Sequence, residues 1–97
     1  MAKVVRTHLV GQQLAAIWRD IAVENEGAAD RVLLRIDQRL RHLFEFPLMG
    51  PLREDIRPQA RMLIEPPYLV LYDYHADVEV VEIVAIIDGR RDLRDLF

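Results

Sequence analysis

The chain has 97 residues, of which 52% are hydrophobic and 30% charged, a balance that fits one compact domain and excludes an extended disordered protein. Its formal net charge is −3, which disfavours general nucleic-acid binding, because small domains that bind RNA or DNA are usually basic. It has no cysteine, no apolar run near the ~20 residues of a membrane span and no signal peptide, so we expect a cytoplasmic protein.

The first half of the chain predicts a short strand followed by two helices. Residues from Lys3 to Thr7 form the candidate strand, and a helix is expected from about Gly11 to Glu24. The break at Asn25-Glu26-Gly27 is short, so the two helices should form an antiparallel hairpin with one apolar face each. The apolar positions at helical spacing are Leu14, Ile17, Trp18, Ile21 and Ala22 in the first helix, and Val32, Leu33, Ile36, Leu40, Leu43 and Phe44 in the second.

The second half predicts a loop and an antiparallel meander. Prolines and a glycine between Phe46 and Pro58 prevent further helix. A hairpin whose turn is Pro66-Pro67 places Arg61 opposite Tyr72, and Val80 to Ile87 form the last strand.

Alternation divides the predicted hairpin into two faces. The face expected to pack on the helices carries Met62, Ile64, Leu69 and Leu71. The other, wetter face is lined by Arg61, Tyr68 and Tyr72. Tyr68, Tyr72 and Tyr74 fall on the same side of one strand. This pattern indicates either ordinary sheet packing or a row of functional side chains.

A basic stripe marks the second helix, where Arg31, Arg35 and Arg39 repeat every four residues. The stripe is either a solvated face that pairs with Asp30 and Asp37 or a docking strip for an acidic partner segment.

Single residues with possible chemistry are few. Trp18 falls in the apolar stripe of the first helix and is expected in the core, with partner contact as the alternative. His8, His42 and His75 lie far apart in the chain without a metal-ligand or triad partner at a telling spacing, so we expect surface histidines, no metal and no cofactor.

The order of elements, the Phe46-Pro47-Leu48-Met49-Gly50 connector, the Tyr68-to-Tyr72 strand and the Gly89-Arg90-Arg91-Asp92 ending resemble the ParE branch of the RelE/ParE toxin superfamily, the poison half of bacterial toxin–antitoxin pairs. The resemblance covers nearly the whole chain. It implies a single α+β domain over residues 1–97, in which a two-helix antiparallel hairpin packs on a mainly antiparallel sheet of three to four strands. The implied order is β-α-α-β-β-β with a short C-terminal tail.

The resemblance also implies a function. The chain would inhibit DNA gyrase by binding, without chemistry of its own, and would be neutralised by a cognate ParD-like antitoxin whose tail folds over the helical hairpin and part of the sheet. No membrane contact and no direct sequence-specific nucleic-acid binding are expected. The target-binding candidates are Arg61, Arg90, Arg91, Asp92, Leu96 and Phe97. The antitoxin-binding candidates are Trp18, Arg31, Arg35, Arg39, Tyr68 and Tyr72.

A second activity of the superfamily remains as an alternative. Members resembling RelE cut messenger RNA on the ribosome with basic strand side chains plus an arginine and a tyrosine near the C-terminus. Here Arg91 retains the arginine, whereas Phe97 occupies the place of the tyrosine and Leu69 that of the arginine after the strand tyrosine. In this alternative Arg61, Arg90 and Arg91 would hold the phosphate.

A third reading is a degenerate, non-toxic copy that only pairs with the antitoxin. The usual family strand ending, Arg-Val-Leu-His-Gly, reads Ala85-Ile-Ile-Asp88-Gly89 in this chain. The basic residues of that ending are therefore replaced at Ala85 and Asp88.

Overall fold

The computed structural model describes residues 2–90, which form one four-stranded sheet with a helical hairpin on one face. In chain order the elements are β1 (Lys3–Arg6), α1 (His8–Ala22), α2 (Glu26–Glu45), β2 (Arg61–Glu65), β3 (Tyr68–His75) and β4 (Val80–Asp88). The sheet order is β1-β4-β3-β2, with β1 parallel to β4 and the other pairs antiparallel. The predicted fold class is confirmed. No helix in the described part of the chain has the length and apolarity needed to cross a bilayer.

Both helices begin at a side chain that caps their free backbone N–H groups. The Thr7 hydroxyl accepts from Val10 N at 3.3 Å, so α1 starts before the predicted Gly11. The Asn25 side chain accepts from Ala28 N at 2.9 Å. The predicted break at Asn25-Glu26-Gly27 is therefore shorter than expected, because Glu26 and Gly27 already belong to α2.

The helical hairpin packs on the sheet face that we expected to be the wetter one. Tyr72 is completely buried and Tyr68 is 7% exposed, so the expectation that they line an open face is wrong. Large aromatic side chains bury more apolar surface than their neighbours, and this favours placing them under the helices. The buried members of this main core are Ala2, Val10, Ile36, Leu40, Leu43, Leu63, Tyr68, Val70, Tyr72, Val81, Ile83 and Ile86.

The opposite sheet face, predicted to meet the helices, carries a smaller apolar cluster under a loop. Met62 and Leu71 are buried there, where the loop before β2 contributes Ile56 and Ala60. Ile64 lies beyond this cover and is 57% exposed, which contradicts its predicted place in the core.

The β2–β3 hairpin has the predicted register, with Arg61 opposite Tyr72 and Glu65 opposite Tyr68 around the Pro66-Pro67 turn. The register of β3 with β4 shifts between Leu71 and Tyr72. This shift is a β-bulge, which leaves one extra residue in β4.

The connector between α2 and the sheet is held by two side chains of the hairpin. The Tyr72 hydroxyl accepts from Gly50 N and donates to Pro47 O, both at 2.9 Å. The Arg61 guanidinium donates to Leu48 O at 3.2 Å and to Gly50 O at 2.8 Å. A Cβ atom at residue 50 would lie 2.8 Å from the Tyr72 ring, so this close approach requires glycine.

We expect Tyr72→Phe to lower the free energy of unfolding by about 1–3 kcal/mol, because Gly50 N and Pro47 O would lose their hydrogen-bond partner. Urea denaturation measures the change. Tyr74→Phe is the matched control, since Tyr74 packs against the same core and its hydroxyl makes no hydrogen bond within the described residues. Equal losses in the two variants would contradict the assigned role of the Tyr72 hydroxyl.

Candidate functional site

A groove forms beside the part of β4 that is no longer paired with β1 and faces α1 instead. β1 pairs with β4 only as far as Ile83. Beyond that point the Thr7 hydroxyl donates to Val84 O at 3.4 Å, and the Gln13 side chain accepts from Ile86 N at 2.7 Å. Side chains at and after the start of α1 thus satisfy backbone groups that a longer β1 would have paired.

The groove lies between α1 and the end of the sheet that contains the Pro66-Pro67 turn, and its volume is about 340 Å³. Its apolar walls come from isoleucines of α1 and β4, and two carboxylates, Asp20 and Asp88, stand among them. Among residues 2–90 the lining residues are Gln13, Ala16, Ile17, Asp20, Ile21, Tyr68, Ile86, Ile87, Asp88 and Arg90. Such a mixed surface suits a peptide segment with both apolar and polar side chains.

Tyr68 is the aromatic residue of the groove, and it lies opposite Asp88 in the strand register. Burial raises the pKa of Tyr68, and the negative charge of Asp88 raises this pKa further, whereas Arg90 acts in the opposite direction. The Tyr68 hydroxyl therefore stays protonated at neutral pH and can donate or accept a hydrogen bond.

Arg90 lies at the rim of the groove in a close pair with Asp88. Its Nε donates to Asp88 Oδ1 at 2.9 Å and its Nη2 to Oδ2 at 2.7 Å. The Arg90 backbone N–H donates to the same carboxylate at 2.9 Å. Gly89 N donates to Pro67 O at 2.7 Å, so the chain leaves β4 in a defined direction. Arg90 is thereby presented at the surface with part of its charge balanced.

Arg61 lies at the other end of the hairpin. It pairs with Tyr72, four residues along β3 from Tyr68, which is roughly 13 Å at the usual rise of a strand. Its guanidinium is bound to carbonyl groups of the connector. The structure therefore does not bring Arg61 together with Arg90, as a shared phosphate site would require. The remaining target-binding candidates, Arg91, Asp92, Leu96 and Phe97, lie outside the described residues.

The basic stripe of α2 is divided between two roles. Arg35 Nε and Arg39 Nε lie 3.6 and 3.7 Å from the Glu65 carboxylate, and Arg39 also donates to Ile64 O at 3.4 Å. These two arginines thus link α2 to the end of β2. Arg31 has no ion-pair partner among residues 2–90 and is exposed.

The predicted pairing of the stripe with Asp30 and Asp37 is wrong. Asp37 instead pairs with Arg6 and Arg41. Asp30 accepts from Trp18 Nε1 at 2.8 Å. The sheet provides a closer carboxylate for Arg35 and Arg39 than their own helix does.

Trp18 is half-buried and joins the two helices through its bond to Asp30. The prediction that Trp18 lies in the core is only partly correct, because Trp18 belongs to neither buried cluster. Its neighbour Ile17 packs against the main core. Trp18 therefore exposes aromatic surface on the hairpin. Arg31 is the residue after Asp30, the hydrogen-bond partner of Trp18, so Arg31 and Trp18 lie near each other.

The sequence does not mark Gln13 or Asp20 as site residues, and it marks Asp88 only as a replacement for a basic residue of the family. Gln13 and Asp20 are seven residues apart, with Ile17 between them, so helical spacing places them on one face of α1. Asp88 becomes visible only when β3 and β4 are paired, because it then faces Tyr68. Helical spacing predicts that Gln13 and Asp20 share a face of α1, but it does not predict which part of the fold that face packs against.

We expect Asp88→Asn to lower the pKa of Tyr68, because the change removes a negative charge and leaves Arg90 to favour the phenolate. The fold favours the neutral phenol, so this contribution to stability is complete below the unfolded pKa of ~10 and is lost as pH rises through the folded pKa. In the variant the loss should be smaller and complete at a lower pH, because only the folded pKa changes. A titration of the Tyr68 ring by ¹³C NMR checks this, with Asp77→Asn in the β3–β4 turn as control. An unchanged Tyr68 pKa in Asp88→Asn would refute the assignment.

Comparison with known proteins agrees with this fold. Residues 4–93 match the family model described as the ParE toxin of the type II toxin–antitoxin system parDE. The chain is 38% identical over 95 residues to Toxin ParE3 of Caulobacter vibrioides, covering 96% of this chain and 92% of that protein. It also superposes on a chain of the chromosomal ParDE TA system from P. aeruginosa with a TM-score of 0.78, at 20% identity and over 91% of this chain and 96% of that one. The chain therefore belongs to the ParE family of toxins from type II toxin–antitoxin systems.

Proposed function

We propose that this ParE-family toxin inhibits DNA gyrase by binding it, and that a cognate antitoxin neutralises it in the cytoplasm. Family membership supports the toxin–antitoxin part of the proposal. The observation that most favours binding over catalysis is the chemistry of the groove, where a protonated Tyr68 and the Asp88–Arg90 pair lie among isoleucines.

The groove is poorly suited to cutting RNA. In-line attack by a 2′-hydroxyl requires a proton acceptor and positive charge around the developing phosphorane-like state. Asp20 and Asp88 make this part of the groove acidic, and the only cation that residues 2–90 contribute to its lining, Arg90, is bound to Asp88. These charges would repel an RNA phosphate and are compatible with contact to a protein surface.

We assign the gyrase contact to Arg90 and to Arg91, Asp92, Leu96 and Phe97, which follow it in sequence. Arg90 is exposed at the groove rim, and its guanidinium is oriented by Asp88 before any partner arrives. A pre-oriented arginine loses less side-chain freedom on binding than a free one. Arg61 is no longer a candidate, because its guanidinium anchors the connector.

The purified chain should inhibit gyrase supercoiling, and Arg90→Ala should weaken inhibition about tenfold, the effect of losing about 1.4 kcal/mol of binding free energy. The matched control is Arg53→Ala, since Arg53 also pairs with an aspartate two residues away, Asp55, but lies in the loop before β2. Supercoiling and cleavage-complex assays measure both.

Unchanged gyrase activity at micromolar toxin would refute the proposed target. Messenger cleavage in a translating extract would favour the endoribonuclease instead. Absence of both effects, together with tight antitoxin binding, would indicate a non-toxic copy, as the replacements at Ala85 and Asp88 suggest.

For the antitoxin we propose the exposed surface of the helical hairpin and the β1 edge. Trp18 and Arg31 remain candidates because both reach the surface of the hairpin. Arg35 and Arg39 can contribute only through charge not already balanced by Glu65. β1 is a four-residue edge strand, to which an extended segment can add. Tyr72 has no exposed surface and Tyr68 very little, so neither is retained.

Antitoxin binding should change the fluorescence of Trp18, the only tryptophan in the chain, and should protect amides of α1 and α2 from hydrogen exchange. Arg31→Ala should weaken the complex about tenfold if an acidic antitoxin side chain meets it. Arg41→Ala is the control on the same helix, where Arg41 pairs with Asp37. Unaltered emission and no protection of the hairpin would place the antitoxin elsewhere.

A further inference from the structure

A cluster of potential metal ligands lies on the sheet face opposite the helices. Tyr72 and Tyr74 of β3 point toward the helices, so the alternate residues Asp73 and His75 point away. Asp73 pairs directly with Glu82 of β4 in the strand register. The backbone therefore brings two carboxylates and an imidazole to one place, which we call the Asp73–His75–Glu82 cluster.

The spacing of the ligand atoms fits a small cation. His75 Nε2 lies 3.3 Å from Glu82 Oε1. In tetrahedral zinc sites with bonds of ~2.0 Å, neighbouring ligand atoms are separated by about 3.3 Å, as the tetrahedral angle requires. One ligand atom from each of the three side chains can be chosen so that all lie within 4.8 Å of one another.

The charges around the cluster favour a dication. Carboxylates directly opposite each other on neighbouring strands repel. Arg57 Nη2 lies 2.5 Å from Asp73 Oδ2, which orients that carboxylate and balances one of the two negative charges. One oxygen of Asp73 and the Glu82 carboxylate remain for a second cation, and no further arginine or lysine pairs with either among residues 2–90. An excess of negative charge therefore remains when His75 is neutral.

The cluster is also accessible. The side chains of His75 and Glu82 are exposed by 46% and 40%, while Asp73 is more buried at 21%. An ion can enter from solvent, and water can occupy the position that the protein leaves open.

We propose that Asp73, His75 and Glu82 bind a zinc ion, with a water molecule as the fourth ligand. An imidazole with two carboxylates suits zinc, whereas magnesium prefers oxygen ligands alone. The site lies on the other side of the sheet from the helices, which carry the proposed antitoxin contacts Trp18 and Arg31. Sequence spacing does not reveal it, because Glu82 joins Asp73 and His75 only through the β3–β4 register.

Zinc titration of the full chain without an affinity tag tests the proposal by calorimetry and by NMR of the histidine rings. We expect one equivalent to bind and the His75 ring signals to shift, with those of His8 and His42 unchanged. His75→Ala should weaken zinc binding more than about tenfold, the usual scale for a lost metal-site interaction. His42→Ala, at an exposed position of α2, should bind like the parent chain.

Glu82→Gln provides a second test that retains the size of the side chain and should also weaken binding more than about tenfold. Far-UV circular dichroism confirms that each variant folds. No zinc binding by the parent chain, equal affinity in His75→Ala and His42→Ala, or displacement of zinc by equimolar magnesium would overturn the proposal.

Discussion

The anchoring of the connector by Tyr72 is the interaction on which the arrangement of helices and sheet depends. Its ring belongs to the main core, while its hydroxyl reaches through that core to Gly50 N and Pro47 O. Burying a tyrosine costs little when its hydroxyl is fully paired. The connector therefore returns from α2 to β2 in one conformation, and the sheet face that carries Tyr72 must meet the helices.

Arg61 completes this arrangement by binding two carbonyl groups of the same connector. Other arginines act similarly, since Arg35 and Arg39 approach Glu65, and Arg57 pairs with Asp73. Many of the arginine side chains thus connect one secondary-structure element or loop to another. This internal use explains how a chain with many arginines and a net charge of −3 can lack a basic nucleic-acid surface within the described residues.

The groove follows from the short length of β1. Because β1 stops beside Ile83, the remaining edge of β4 needs another partner, and α1 provides it through Gln13. A helix cannot lie as close to a strand as a second strand does, since it is ~10 Å in diameter against the ~4.8 Å spacing of paired strands. The space between them becomes the groove, and Tyr68 and Arg90 lie at the end where the chain leaves the sheet.

The sequence by itself determined the order of the elements, the helical hairpin and the register of β2 with β3. These features depend on local patterns, namely helical spacing, alternation and the Pro66-Pro67 turn. The resemblance to ParE toxins likewise rested on the order of short motifs. Of the candidate site residues, Arg90 and Arg31 remain at the surface as expected, whereas Tyr68 and Tyr72 do not.

Only the tertiary structure decided which face of the sheet meets the helices. Alternation defines two faces, but both carry large apolar side chains, so local pattern could not choose between Leu71 and Tyr72 as the residue under the helices. The partners of Arg35, Arg61 and Asp88, and the meeting of His75 with Glu82, depend on chain segments far apart in sequence. Such contacts depend on the relative positions of the elements, which the bulge in β4 and the anchoring of the connector by Tyr72 determine.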